Sequence, residues 1–71
     1  MKSYKFKADD ILIYAELKIV KVLNVYSDYY QLKNIKVLTE YYQINEIYNI
    51  YQPHVDANYQ LLKPLEKMKY L

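Results

Sequence analysis

Seventy-one residues without a cysteine make a single domain that no disulfide reinforces. A 54% hydrophobic content at a formal charge of +2 excludes a disordered tail, and the absence of glycine excludes both glycine-rich phosphate-cradling loops. Eleven residues are tyrosine, eight of them between Tyr26 and Tyr59, whereas arginine and tryptophan are absent.

At the start, Tyr4 and Phe6 alternate with Lys5 and Lys7, a period of two that predicts a half-buried strand. Ala8, Asp9 and Asp10 read as a turn, with an aspartate cap favoured over an acid pair. Residues 11–14 are a compact strand. Residues 17–26 form a longer one, because Ile19, Val20, Val22 and Val25 are β-branched and lose rotamer freedom in a helix. Asn24 marks a bend or bulge in it. Residues 28–35, Asp-Tyr-Tyr-Gln-Leu-Lys-Asn-Ile, recur at 40–47 as Glu-Tyr-Tyr-Gln-Ile-Asn-Glu-Ile, and Tyr59-Gln60-Leu61 is a shorter copy. A period near twelve is the rhythm of short antiparallel strands. Ile44, Ile47, Tyr48 and Tyr51 then take helical spacing, so one or two helical turns are expected at 45–52, capped by Asn45 and stopped by Pro53. Pro64 can open a short C-terminal helix or tail with Leu65, Met68 and Leu71 on one side.

Without glycine, positive φ falls to asparagine, and Asn24, Asn34, Asn45, Asn49 and Asn58 are the candidates. The expected core is Phe6, Ile11, Ile13, Val20, Val22, Tyr30, Leu32, Ile44, Ile47 and Leu61. These elements give a mainly β fold: a small five-stranded antiparallel barrel over residues 1–63, with one helical turn and a short C-terminal helix or tail at 64–71.

The segment Phe6-Lys7-Ala8-Asp9-Asp10-Ile11-Leu12-Ile13-Tyr14 resembles the Phe-Lys-x-Gly-Asp-Ile stretch that leads into a strand in SH3 domains. Asp28-Tyr29-Tyr30 is similar to their strand-opening aromatic pair. Ala57-Asn58-Tyr59-Gln60-Leu61-Leu62 is similar to their closing Ser-Asn-Tyr-Val-x-Leu segment. The resemblance implies an SH3-like barrel of the small bacterial or phage type. Asp9 stands where the family has glycine, and the groove tryptophan is missing, so polyproline binding is not carried over.

Chemistry is poorly supplied. Ser3, Ser27 and Thr39 are the aliphatic hydroxyls, and His54 is the one histidine to activate them, so the chain reads as a non-enzyme without cofactor. His54 and Asp56 fall short of the three or four ligands a metal needs. Charge is divided. Lys2, Lys5 and Lys7 make the start basic, whereas residues 9–62 carry seven acids against four lysines. No apolar run approaches the ~18 residues of a membrane span and residues 1–5 do not open a signal peptide, which predicts a cytoplasmic protein without membrane contact. The codon bias implied by lysine, isoleucine, asparagine and tyrosine points to an AT-rich genome such as a low-GC bacterium, phage or plasmid.

What remains is tyrosine. Strand alternation turns Tyr30 and Tyr42 inward with Leu32 and Ile44, leaving Tyr29 and Tyr41 outward beside Tyr26 and Tyr48. The expected role is a protein-binding module, an accessory or inhibitory protein that covers a host protein, such as a nucleic-acid-handling enzyme, through Tyr26, Tyr29, Tyr41 and Tyr48. The alternative is a nucleic-acid-binding SH3-like or OB-like barrel that stacks bases on tyrosine and neutralises phosphate with Lys2, Lys5 and Lys7. A homo-oligomer is compatible with either.

Overall fold

A computed structural model describes residues 4–71. Its five strands, β1 (Ile11–Tyr14), β2 (Lys18–Val25), β3 (Tyr29–Val37), β4 (Ile47–Tyr51) and β5 (Tyr59–Leu61), form one antiparallel sheet in the order β4-β3-β2-β1-β5. Two short helices complete it, α1 (Gln52–Asn58) between β4 and β5 and α2 (Pro64–Tyr70) after β5. The mainly β, five-stranded antiparallel class expected from the sequence is the one observed. The barrel, however, is not closed. Among the described residues β4 pairs only with β3 and β5 only with β1, and α1 packs against β3, β4 and β5.

The register puts two separate clusters on the two faces of the sheet. Leu12, Val20, Val22, Tyr30 and Leu32 line one face and are covered by Phe6, Val55 of α1 and Tyr59. Ile13, Ile19 and Leu62 line the other, with Ile11, Ile35 and Tyr70 packed around them. A bulge between Val22 and Asn24 breaks the β2–β3 register, as the position of Asn24 implied. Tyr30 links one cluster to its surroundings. Its phenol accepts the Phe6 N–H at 3.3 Å and donates to Asp56 Oδ1 at 2.9 Å, fastening the N-terminal segment and α1 to β3.

Several local expectations fail for identifiable reasons. Residues 4–7 are not a strand, although Phe6 is buried. The helical turn falls at Gln52–Asn58 rather than 45–52. Pro53 sits in the first turn, where its missing N–H costs nothing, so it starts the helix instead of stopping it. Residues 47–51 are strand, with Tyr48 and Ile50 packed against the core and Ile47 and Tyr51 exposed. The second copy of the echo is a turn-rich loop up to Glu46, which exposes Ile44, and Ile47 opens β4 on its outward face, so neither is core. Leu61 is exposed on an edge strand, and its neighbour Leu62 is buried instead. Ile11 is half-buried. Of the five asparagines, Asn45 takes positive φ (66°). Among the described residues Asp9 (73°), at the position where the SH3 resemblance places glycine, and Ala15 (49°) also take positive φ.

The C-terminal helix forms at Pro64–Tyr70, with Pro64 in its first turn and the Lys63 N–H bonded to Glu66 Oε1 at 3.1 Å. Leu65, Met68 and Leu71, expected on one side, are all exposed.

Candidate interaction site

Tyr26 and Tyr29 flank the turn between β2 and β3, and the Tyr26 N–H to Tyr29 carbonyl bond of 2.9 Å holds them opposite one another. Their rings lie 4.7 Å apart at 30°. Tyr29 pairs with Tyr51 across β3 and β4, and alternation places Ile47 on the same face as Tyr51. Tyr51 is 65% exposed and Tyr29 36%. The result is a strip of side chains about 13 Å long along β4, with Tyr26, Tyr29 and Tyr51 exposed at one end, the polar cross-strand pair Gln31–Asn49 between, and exposed Ile47 opposite Lys33 at the other. It occupies the half of the outer face that α2 and Leu62 leave open. Sequence reasoning found Tyr26 and Tyr29 and missed Tyr51, which the false helical spacing at 44–51 concealed.

Tyr41 is outward as expected, at 84% exposed, but it stands on the 38–46 loop and not on a strand next to Tyr29. Tyr48 is a correction. It shares the inner face with Leu32, its cross-strand partner, and points into the protein. There it meets the least expected feature of the fold.

Lys18 opens β2 on the same face as Val20 and Val22, so the alternation carries its side chain inward, and only 6% of it is exposed. Its ammonium lies over the rings of Tyr42 (4.3 Å), Tyr48 (4.6 Å), Tyr14 (5.5 Å) and Tyr59 (5.9 Å). Cation–π attraction in such a desolvated setting reaches about 2 kcal/mol. Nζ donates to the Tyr48 hydroxyl at 2.9 Å, Tyr48 donates to Asn34 Oδ1, and Asn34 Nδ2 donates to the Gln43 carbonyl at 3.0 Å. Among the described residues no buried side-chain nitrogen or oxygen lacks a partner, so this polar chain is complete.

Burial sets the proton affinities here. Desolvation lowers the pKa of Lys18, partly opposed by the negative charge of Glu46. Desolvation raises the Tyr48 phenol well above its ordinary value, and raises that of Tyr59 to about 12. Tyr48 and Tyr59 therefore hold their protons to higher pH than a solvated phenol does. Two of the rings also pack on each other: Tyr14 lies 4.7 Å from Tyr59 at 34°. The signal for this cage was present in the sequence as the parity of Lys18 with Val20 and Val22, but a lysine at a strand start ordinarily reads as solvent-facing.

Of the basic start, Lys5 and Lys7 are described. Lys5 Nζ is held by the Asp56 carbonyl at 3.0 Å and lies 5.4 Å from the Phe6 ring. Lys7 is exposed, and its N–H is bonded to Asp10 Oδ2 at 3.0 Å. Lys2 lies outside the described residues. His54 and Asp56 part company on α1, His54 beside Asn58 and Asp56 against Tyr30. No helix among the described residues is long and apolar enough to cross a membrane.

No protein-family model, no curated protein and no solved structure matches this chain.

Proposed function

We propose that the chain is a non-enzymatic protein-binding module whose docking surface is the strip Tyr26, Tyr29, Tyr51 and Ile47, extended by the loop residues Tyr41 and Ile44. The observation that carries this reading is the exposure of six large apolar side chains on the uncovered half of one sheet face and its adjoining loop. Exposed aromatic groups of this kind are enriched among the residues that dominate protein interfaces, and here three of them, Tyr26, Tyr29 and Tyr51, gather at one end of β4 beside the polar pair Gln31 and Asn49.

Charge selects the partner. Exposed acids directly precede the exposed apolar residues in three places: Asp28 before Tyr29, Glu40 before Tyr41 and Glu46 before Ile47. An apolar patch with an acidic rim complements a protein whose own apolar contact is ringed by lysine and arginine. The same rim repels phosphate. Lys33 shares the face and Lys21 is paired with Asp9 at 3.5 Å, whereas the exposed Lys63, Lys67 and Lys69 stand on and beside α2 rather than in the strip. A basic surface of a host nucleic-acid-handling protein fits this description. Together with the AT-rich residue choice, it supports an accessory or inhibitory role, encoded by a phage or mobile element and exerted in the cytoplasm.

The test is affinity capture from a lysate of the organism that carries the gene, with and without nuclease, using the natural chain and a Tyr29→Ala/Tyr51→Ala variant. The reading expects a protein that survives nuclease and is lost with the variant. Recovery of nucleic acid alone, or equal capture by both chains, overturns it.

A further inference from the structure

The 38–46 loop carries the exposed residues Tyr41 and Ile44, yet it is not a free loop. Leu38 N–H reaches the Leu17 carbonyl at 2.8 Å, Asn45 N–H the Asn34 carbonyl at 2.8 Å, and Asn34 N–H the Glu46 carbonyl at 2.9 Å. Asn34, fully buried in β3, adds its side-chain bond to the Gln43 carbonyl. Between these ties sits Tyr42, half-buried, its ring the nearest of the four around the Lys18 ammonium.

We infer that Lys18 is a positioning residue: held in its cage of four tyrosines, its ammonium clamps the 38–46 loop to the sheet and so presents Tyr41 and Ile44 in a fixed arrangement. Two routes run from one Nζ atom to the loop. The first is direct, through the Tyr42 ring. The second is the relay Lys18–Tyr48–Asn34–Gln43, which crosses β2, β4 and β3 before it reaches the loop backbone. A leucine or methionine in place of Lys18 would fill the volume but supply neither the cation over the Tyr42 ring nor the Nζ bond that opens the relay. That the core contains a lysine here, at the cost of desolvating a charge, is explained by what the charge holds. The benefit to binding is pre-organisation, because a loop already ordered loses little entropy when a partner docks. Adjacent residues in the loop divide the labour: Tyr42 turns inward as the anchor, and Tyr41 stands outward as the contact. Lys18 itself touches no partner.

This inference rests on the docking reading for its purpose, but the clamp can be judged without a partner. The experiment is amide hydrogen exchange, read residue by residue by NMR, on the natural chain and on Lys18→Met, Tyr42→Leu and Tyr42→Phe. Lys18→Met and Tyr42→Leu are expected to speed exchange at Asn45 by more than about tenfold, with the Val22 and Leu62 amides, bonded to Asp10 and Ile11, unchanged. Tyr42→Phe keeps the ring and is expected to exchange like the natural chain. The inference is overturned if Asn45 exchange in folded Lys18→Met or in Tyr42→Leu matches the natural chain, if Tyr42→Phe behaves like Tyr42→Leu, or if all amides accelerate together. Should Lys18→Met not fold, the two Tyr42 variants decide the matter. Binding is read separately with Tyr41→Ala. Retained capture by that variant removes Tyr41 from the docking surface and leaves the exchange result to decide the clamp.

Discussion

Removing one oxygen from Tyr30 tests how the domain is held together. Tyr30→Phe leaves the buried ring in place and deletes the hydroxyl that accepts the Phe6 N–H and donates to Asp56. Phe6 is 2% exposed, so its amide is left in the interior without that acceptor, a cost of about 1–3 kcal/mol. Asp56 is only half-buried, so its carboxylate can regain water, and the lost bond costs about 1 kcal/mol more. The expected total is about 3 kcal/mol, a large share of the roughly 4–10 kcal/mol that a chain of this size has. In urea the slope for so small a domain is about 1 kcal/mol per molar, so the midpoint should fall by roughly 3 M, with Tm lower by more than about 10 °C. A midpoint shift under about 0.5 M at unchanged slope would show that Tyr30 does not fasten the N-terminal segment and α1 to the sheet.

Three further outcomes are expected. Leu32→Ala, at a fully buried position, should cost about 2–5 kcal/mol, whereas Ile44→Ala, on the exposed loop, should stay within about 0.5 kcal/mol; thermal melts that rank them the other way would contradict the register. Ala15→Gly, at the left-handed turn between β1 and β2, should raise stability by about 1 kcal/mol, and a loss would contradict the positive φ there. Alkali should unfold the protein as pH rises above about 10. Unfolded tyrosine ionises near 10, while Tyr30, Tyr48 and Tyr59 are held protonated by burial to higher pH, so the folded chain binds more protons and stability falls as pH rises. Lys18 acts with the opposite sign just below its ordinary value, because its folded pKa is depressed and the unfolded chain then binds the extra proton. Chemical denaturation at stepped pH should show this rise, then the fall, with the rise absent in Lys18→Met.

The parts of the fold that could be read from the sequence are those in which local preference and tertiary demand agree. Residues 11–14 and 18–25 are rich in β-branched residues, 29–37 alternates Tyr30, Leu32 and Asn34 inward, and Asn24 interrupts the pattern where the bulge falls. The reading failed where the same letters meet different neighbours. Tyr29-Tyr30-Gln31-Leu32 lies between two strands and is itself strand, whereas Tyr41-Tyr42-Gln43-Ile44 is drawn into a loop by Asn34 and by the left-handed Asn45. At the candidate site, Tyr26 and Tyr29 were legible because exposure follows from a turn and from parity, whereas Tyr41 is exposed on a loop and not through the strand alternation expected of it. Tyr48 was not, since its partner is a lysine that enters the core from another strand. Tyr51 was hidden by a helical spacing that a strand and a helix start share between them.

The central claim is that the aromatic strip binds a protein, and affinity for the captured partner measures it most directly. Titration of that partner with the natural chain and with Tyr29→Ala/Tyr51→Ala, at two salt concentrations, should show a loss of about 2 kcal/mol or more in the variant, roughly 30-fold in Kd, at nearly unchanged Tm and with a shallow dependence on salt. Equal affinity for the two chains, or binding that collapses with salt in proportion to the lysines engaged, would contradict it.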